Sequence, residues 1–192
     1  MEVSSIAQRI LQLARERRAL TYGDYTLSSG QKSSYYFDGR RLTLDPEGSY
    51  LVGRAFWQML DGADVQAIGG PTLGADPIVT AVALTSHLEG KPMAAFIVRK
   101  EAKAHGMGQL IEGPLEEGSR VAIVDDSCST GGSIFHAVEA AEAAGCTVVK
   151  VLAILDRHQG GSDELRRRGY DFVCLLEANP QGKVSVVGEK GS

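Results

Sequence analysis

The sequence predicts an α/β protein with a mainly parallel central sheet flanked by helices on both faces. Short apolar, β-branched runs begin at Val65, Ala94, Val121, Val148 and Phe172. Stretches with helical spacing separate most of them, the alternation that crossover connections between parallel strands require. Two of the runs break into glycine-rich turns just before a helix, at Gly69-Gly70 and at Gly131-Gly132. Such turns fall at the carboxyl edge of a parallel sheet, where ligands bind.

Each element has a local reason. Ser4 or Ser5 is placed to cap a first helix reaching to about Ala19, with Ile6, Ile10, Leu13 and Ala14 on its buried face. Residues 23–40 read as two short strands around the Ser29-Gly30 turn, an aromatic-rich hairpin with one lysine, Lys32. Taken alone, that hairpin is a structural flap. Asp45 caps a second helix that opens with Pro46, where the missing N–H costs nothing. The run from Val65 ends in a glycine-rich loop through Gly74, and helical spacing resumes from Ile78 to Leu88. Ala94 to Val98 is a buried strand that runs into a polar loop over residues 99–113, rich in cations and glycine. Residues 121–124 form the next strand, residues 134–144 a helix that Gly145 ends, and residues 146–155 a further strand. A short basic helix over 162–168, a last core strand over 170–176 and an edge strand over 184–187 complete the chain.

Composition narrows the function. A 192-residue chain suffices for one well-packed domain, and 43% hydrophobic with 23% charged residues is an ordinary globular composition. A net charge of −4 with no basic stripe argues against a nucleic-acid surface. No apolar run approaches the ~20 residues that cross a bilayer, and the charged, amphipathic N-terminus is no signal peptide. Three widely spaced cysteines, Cys128, Cys146 and Cys174, point to free thiols and a cytoplasmic location.

The chemistry concentrates in Asp125, Asp126, Ser127, Cys128, Ser129, Thr130, Gly131, Gly132 and Ser133. The glycines let successive N–H groups converge on an anion at the positive end of the following helix, and the hydroxyls add donors. Two carboxylates would repel a bare phosphate, but they can accept hydrogen bonds from sugar hydroxyls or act through Mg²⁺ waters. A ribose 5-phosphate satisfies both halves. The plainer alternative is a turn whose Ser and Asp side chains only cap the helix. Cys128 suits a small packed side chain.

This stretch resembles the phosphoribosyl pyrophosphate (PRPP) motif of the type I phosphoribosyltransferases. Two further segments resemble the orotate branch of that family: Ser-Gly-x-Lys-Ser-x-Tyr-x-x-Asp from Ser29 to Asp38, and Arg-Lys-Glu-x-Lys-x-His-Gly from Arg99 to Gly106. The resemblance spans nearly the whole chain and implies the type I phosphoribosyltransferase fold. Residues 1–45 would be a small N-terminal hood and residues 46–192 the α/β core. It implies transfer of phosphoribose from PRPP to orotate, with Mg²⁺ as cofactor, held mainly by PRPP and water rather than by direct protein ligands. Lys103, Asp125 and Asp126 would be catalytic. PRPP would be bound by Arg99, Lys100, Lys103, His105 and residues 125–133. Orotate would meet Ser129, Arg157 and the hood around Tyr36 and Phe37. A homodimer is implied, with Arg99, Lys103 and His105 serving the neighbouring subunit's site. Two departures stand out: Ser28 and Gly74 occupy positions where many relatives carry lysines. The rival functions are transfer to another base and a non-catalytic nucleotide sensor.

Overall fold

The computed structural model describes residues 2–26, 32–101 and 110–188. Among them, a seven-stranded sheet has the order β5-β4-β3-β6-β7-β8-β9. Its strands are β3 (Ala67–Pro71), β4 (Ala94–Val98), β5 (Ile111–Glu112), β6 (Arg120–Cys128), β7 (Thr147–Asp156), β8 (Phe172–Ala178) and β9 (Val184–Val186). The five inner strands are parallel, and the short edge strands β5 and β9 are antiparallel to their neighbours. Parallel strands need both faces covered, and alternation along β6 shows how this is met. Ala122 and Val124 enter one core with Ile10, Phe56 and Ile78, from α1 (Val3–Glu16), α3 (Pro46–Met59) and α4 (Asp76–Leu88). Val121 and Ile123 enter the other with Ile134, Val138 and Leu165, from α5 (Gly132–Ala143) and α6 (Gly161–Arg167).

A separate antiparallel hairpin, β1 (Leu20–Thr26) and β2 (Lys32–Phe37), precedes the one-turn α2 (Arg40–Thr43). It is fastened near β9: the Ser34 hydroxyl donates to Gln181 O at 3.0 Å, and Val184 N–H donates to the Tyr22 hydroxyl at 3.1 Å. α1 shares the core of the main sheet rather than forming its own.

Several boundaries differ from expectation. α1 begins at Val3 without a side-chain cap, and Ser5 lies inside it with its hydroxyl donating to Glu2 O. Asp45 does cap α3, accepting from the N–H groups of Glu47 and Gly48. Gly69 and Gly70 belong to β3 rather than to the loop beyond it. A Cβ would lie 2.2 Å from the Phe96 ring at Gly69 and 2.0 Å from Val124 O at Gly70, so these glycines permit close packing within the sheet. β6 continues through Asp125 and Asp126 to Cys128, because the ten-residue β7 supplies ladder partners as far as Asp156. The polar residues therefore start on a strand and not in the turn. β5 and α2 were not evident in the sequence; each is too short to carry a period.

Candidate active site

The sheet order reverses between β3 and β6: the chain after β3 crosses to β4, and the chain after β6 crosses to β7 on the other side. Such a switch point opens a crevice at the carboxyl ends of the two strands. Here it holds the 72–75 loop and the 129–131 turn. A cavity of about 230 Å³ lies there, walled by Tyr36 to Asp38 and Arg40 from the hood, Pro71 to Gly74, Lys100, Asp125, Asp126 and Ser133.

Strand alternation sends the two acids to opposite sides. Asp125 turns toward α5: its Oδ2 accepts from the Ser133 hydroxyl at 2.7 Å, and its Oδ1 accepts from Asp126 N–H at 2.8 Å. Asp126 turns toward the hood, where a Cβ on Gly39 would meet its carboxyl at 2.6 Å. Gly74 lies against Asp125 in the same way, with 2.4 Å from a Cβ to Oδ1. A lysine here would have to displace that carboxylate. Burial, and then the neighbouring charge of Asp126, hold the Asp125 carboxyl above the usual carboxylate range. Burial raises Asp126 as well, opposed by the Ser127 hydroxyl and by Arg157 and Arg40.

Gly131, at φ +84°, turns the chain from β6 into α5, a conformation that favours glycine. No side chain caps α5, so the capping alternative is not met. The N–H groups of Thr130, Gly131, Gly132 and Ser133 make no hydrogen bond to another described residue. They are the free donors of a helix N-terminus, the usual anion cradle. Neighbouring backbone holds the turn in place. Gly161 N–H donates to Ser129 O at 2.9 Å, and a Cβ on Gly161 would lie 2.5 Å from Gly131 N.

Arg157 leaves the end of β7 toward the hood rather than toward a surface ion pair. Its Nη2 donates to Phe37 O at 3.2 Å, its guanidinium lies 5.2 Å from the Tyr35 ring centre, and its buried Nε has no partner. Asp156 and Asp163 are engaged with His158 and Arg166 instead.

The expected residues thus divide. Tyr36, Phe37, Lys100, Asp125, Asp126 and Ser133 wall one cavity, whereas Ser127, Ser129, Thr130, Gly131 and Gly132 lie on the stretch of chain joining Asp126 to Ser133, outside that lining. Cys128 is the exception. It ends β6 with its side chain fully buried in the core on the α5 side, and burial pushes the thiol up to about 12, so it offers the site no side chain. Arg99 lies outside the cavity, with Nη1 3.5 Å from Glu112 on β5. Lys103, His105 and Ser28 lie outside the described residues. Arg40 and Gly161 were not singled out, although Gly161 carried a signal as part of a glycine pair after a strand; Tyr35 and Asp38 stood in the hood motif and Thr72 in the glycine-rich loop, none with a role of its own.

Comparison with known proteins fits this geometry. The phosphoribosyl transferase domain family matches residues 54–189. An orotate phosphoribosyltransferase of Nostoc sp. is 45% identical over 176 residues, covering 91% of this chain and 84% of the relative. That of Aquifex aeolicus is 42% identical, covering 86% and 93%. The crystal structure of the Mycobacterium tuberculosis orotate phosphoribosyltransferase with PRPP superposes with a TM-score of 0.73 at 35% identity, covering 91% of this chain and 95% of that one. An adenine phosphoribosyltransferase of Thermoanaerobacter pseudethanolicus, at 18% identity and TM-score 0.62, shares the fold. With two relatives above 40% identity along most of their length and a matching domain, the chain belongs to the orotate phosphoribosyltransferases.

Proposed function

We propose that this chain transfers the 5-phosphoribosyl group from PRPP to orotate, giving orotidine 5′-monophosphate and pyrophosphate in pyrimidine nucleotide synthesis. The observation that carries the reading is the acid pair at the sheet's switch point, with Asp125 facing the anion cradle and Asp126 facing the hood and Arg157. The cradle takes the 5′-phosphate. Asp125 and Asp126 accept hydrogen bonds from the ribose hydroxyls. Orotate, both acid and dione, lies against the backbone of Tyr36 and Phe37, where the Arg157 guanidinium and Ser129 meet its oxygens.

Bond formation from the base nitrogen to the anomeric carbon accompanies loss of pyrophosphate. Positive charge grows on the sugar and negative charge on the leaving group, so catalysis is electrostatic placement and needs no protein nucleophile. The acid pair favours the cationic sugar. Lys100, which lines the cavity, favours the departing pyrophosphate, as do Arg99, Lys103 and His105 of the neighbouring subunit. Mg²⁺ is the proposed cofactor, and when bound it neutralises phosphate charge. No described cluster of three or more His, Cys, Asp or Glu could hold it alone. The acid pair would suit a substrate-borne, largely hydrated ion, whose waters Asp125 and Asp126 would hold.

We read the assembly as a homodimer. An open groove of about 740 Å³ runs between α2, α3 and α4, and Leu44, Leu73 and Leu84 are 72%, 62% and 60% exposed there. An apolar patch of this kind marks an interaction surface. A second copy is its natural cover, because Leu73 and Arg40 line both the groove and the active-site cavity. Leu84→Glu should shift the dimer to monomer in sedimentation and weaken dimerisation by at least about tenfold; an unchanged dimer would place the interface elsewhere. Among the described residues no helix is long and apolar enough to cross a membrane, and three free thiols suit a reducing cytoplasm.

The deciding experiment offers orotate, uracil, adenine, hypoxanthine or guanine separately with PRPP and Mg²⁺ and follows pyrophosphate release. Release with orotate alone, abolished by EDTA, is expected. Release with another base would overturn the Arg157 and hood assignments, and none with any base would favour a sensor.

The acid limb of kcat/KM for PRPP should lie above the ordinary carboxylate range of ~4, because protonation of the raised acid pair removes its acceptors. Ser133→Ala removes a hydroxyl that stabilises ionised Asp125. The limb should then move about 0.5–1 pH unit further up; no movement would mean that Asp125 does not set it.

A further inference from the structure

Arg157 leaves the sheet at a tight turn whose other members have no assigned role. Asp156, fully buried at the end of β7, accepts from His158 N–H at 2.9 Å through Oδ1. Its Oδ2 lies 3.5 Å from His158 Nδ1 and makes no hydrogen bond. On the far side of the ring, His158 Nε2 lies 3.1 Å from Glu177 Oε2 on β8. The imidazole is thus held between two carboxylates from adjacent strands, on a residue at φ +50°, a conformation that side chains rarely adopt. Arg157 sits inside this clasp, and its own N–H donates to Cys128 O at 2.9 Å.

The turn is open on two sides at His158. Two hollows flank it, one of about 310 Å³ beside Arg157 and Tyr35 and one of about 380 Å³ beside Glu177 and Lys183. His158 lines both. A turn with space on either side is located by its polar contacts, and a residue held at positive φ persists only where surrounding contacts over-determine it. We propose that His158, clasped between Asp156 and Glu177, is the positioning residue that aims Arg157 at the base. The side chain touches neither substrate; it fixes the backbone from which the guanidinium reaches Phe37 O and the orotate site. This rests on the reading of Arg157 as the orotate contact.

Steady-state kinetics with both substrates tests it, using Arg157→Ala, His158→Gly, Glu177→Ala and the double variant Arg157→Ala/His158→Gly. Glycine accepts the positive φ, so His158→Gly removes the imidazole without straining the turn. Both His158→Gly and Glu177→Ala should raise KM for orotate about 5–10-fold while KM for PRPP and kcat move less than about twofold. In the Arg157→Ala background, His158→Gly should add nothing, since its effect passes through the missing guanidinium. An unchanged orotate KM, equal rises in both KM values, or full additivity in the double variant would overturn the proposal. If Arg157→Ala itself leaves orotate KM unchanged, the base-site reading has failed and the proposal with it. If Arg157→Ala raises KM and His158→Gly does not, only the proposal fails.

Discussion

Asp125→Asn should cut kcat by about 10²–10³-fold while raising the melting temperature, two effects of opposite sign from one substitution. The loss follows from removing a charged acceptor beside a sugar that turns cationic. The gain follows from the cost of burying the charge: Asp125 is 6% exposed and its carboxyl is raised by burial and by Asp126. Asparagine keeps an acceptor for Asp126 N–H and a group that can pair with the Ser133 hydroxyl, so the gain is about 1 kcal/mol, or about 2–4 °C. Its pH dependence has a definite sign. With a raised carboxyl, the folded chain holds this proton more tightly than the unfolded chain does. Wild-type stability contributed by this group therefore rises as pH falls from the raised folded value toward the ordinary unfolded value of ~3.9, and is lowest above that window. The advantage of the variant should be largest in alkali and shrink on acidification. Wild-type turnover would remove Asp125 from the ribose site. A lowered melting temperature would show that its two hydrogen bonds outweigh its burial.

Gly161→Ala should raise KM for PRPP about 10–100-fold with the fold retained. The new methyl would lie 2.5 Å from Gly131 N, 2.7 Å from Ser129 O and 2.7 Å from Thr130 C, all of them backbone atoms of the phosphate turn. Backbone cannot step aside as a side-chain tip can. The relief available is a shift of the 129–131 turn, which moves the cradle away from the position set by β6 and α5. Circular dichroism should stay native while PRPP affinity falls. Unchanged affinity would mean that the loop after β7 can retreat without disturbing the loop after β6.

The parts legible in the sequence were those with local causes. Apolar runs separated by helical periods gave the parallel sheet, Asp45 and Pro46 gave the start of α3, and two acids followed by hydroxyls and glycines marked the phosphate turn. Where local and long-range causes compete, the sequence misled. Gly69 and Gly70 read as loop because glycine is a turn residue, yet they serve the ring of Phe96 and the carbonyl of Val124, both distant in the chain. Of the three aromatics Tyr35, Tyr36 and Phe37, strand alternation buries Tyr35 and Phe37 and leaves Tyr36 at 42% exposure. Tyr35 is therefore the ring beside Arg157, a choice that depends on which face of the hairpin meets the sheet.

By itself, the sequence determined the longer elements, the parallel sense of the inner strands and the chemistry of the residues from Asp125 to Ser133, because hydrophobic period, capping and backbone freedom act within a few residues. Only the tertiary structure decided that Asp125 faces Ser133 while Asp126 faces Gly39 and Arg157, that Cys128 leaves the site for the core, and that Gly161 braces the phosphate turn. Those outcomes depend on strand register and on the order β4-β3-β6-β7, which bring together segments up to 120 residues apart, as Phe37 and Arg157 are. The physical reason is that close packing in three dimensions, not sequence spacing, sets which groups share a buried site.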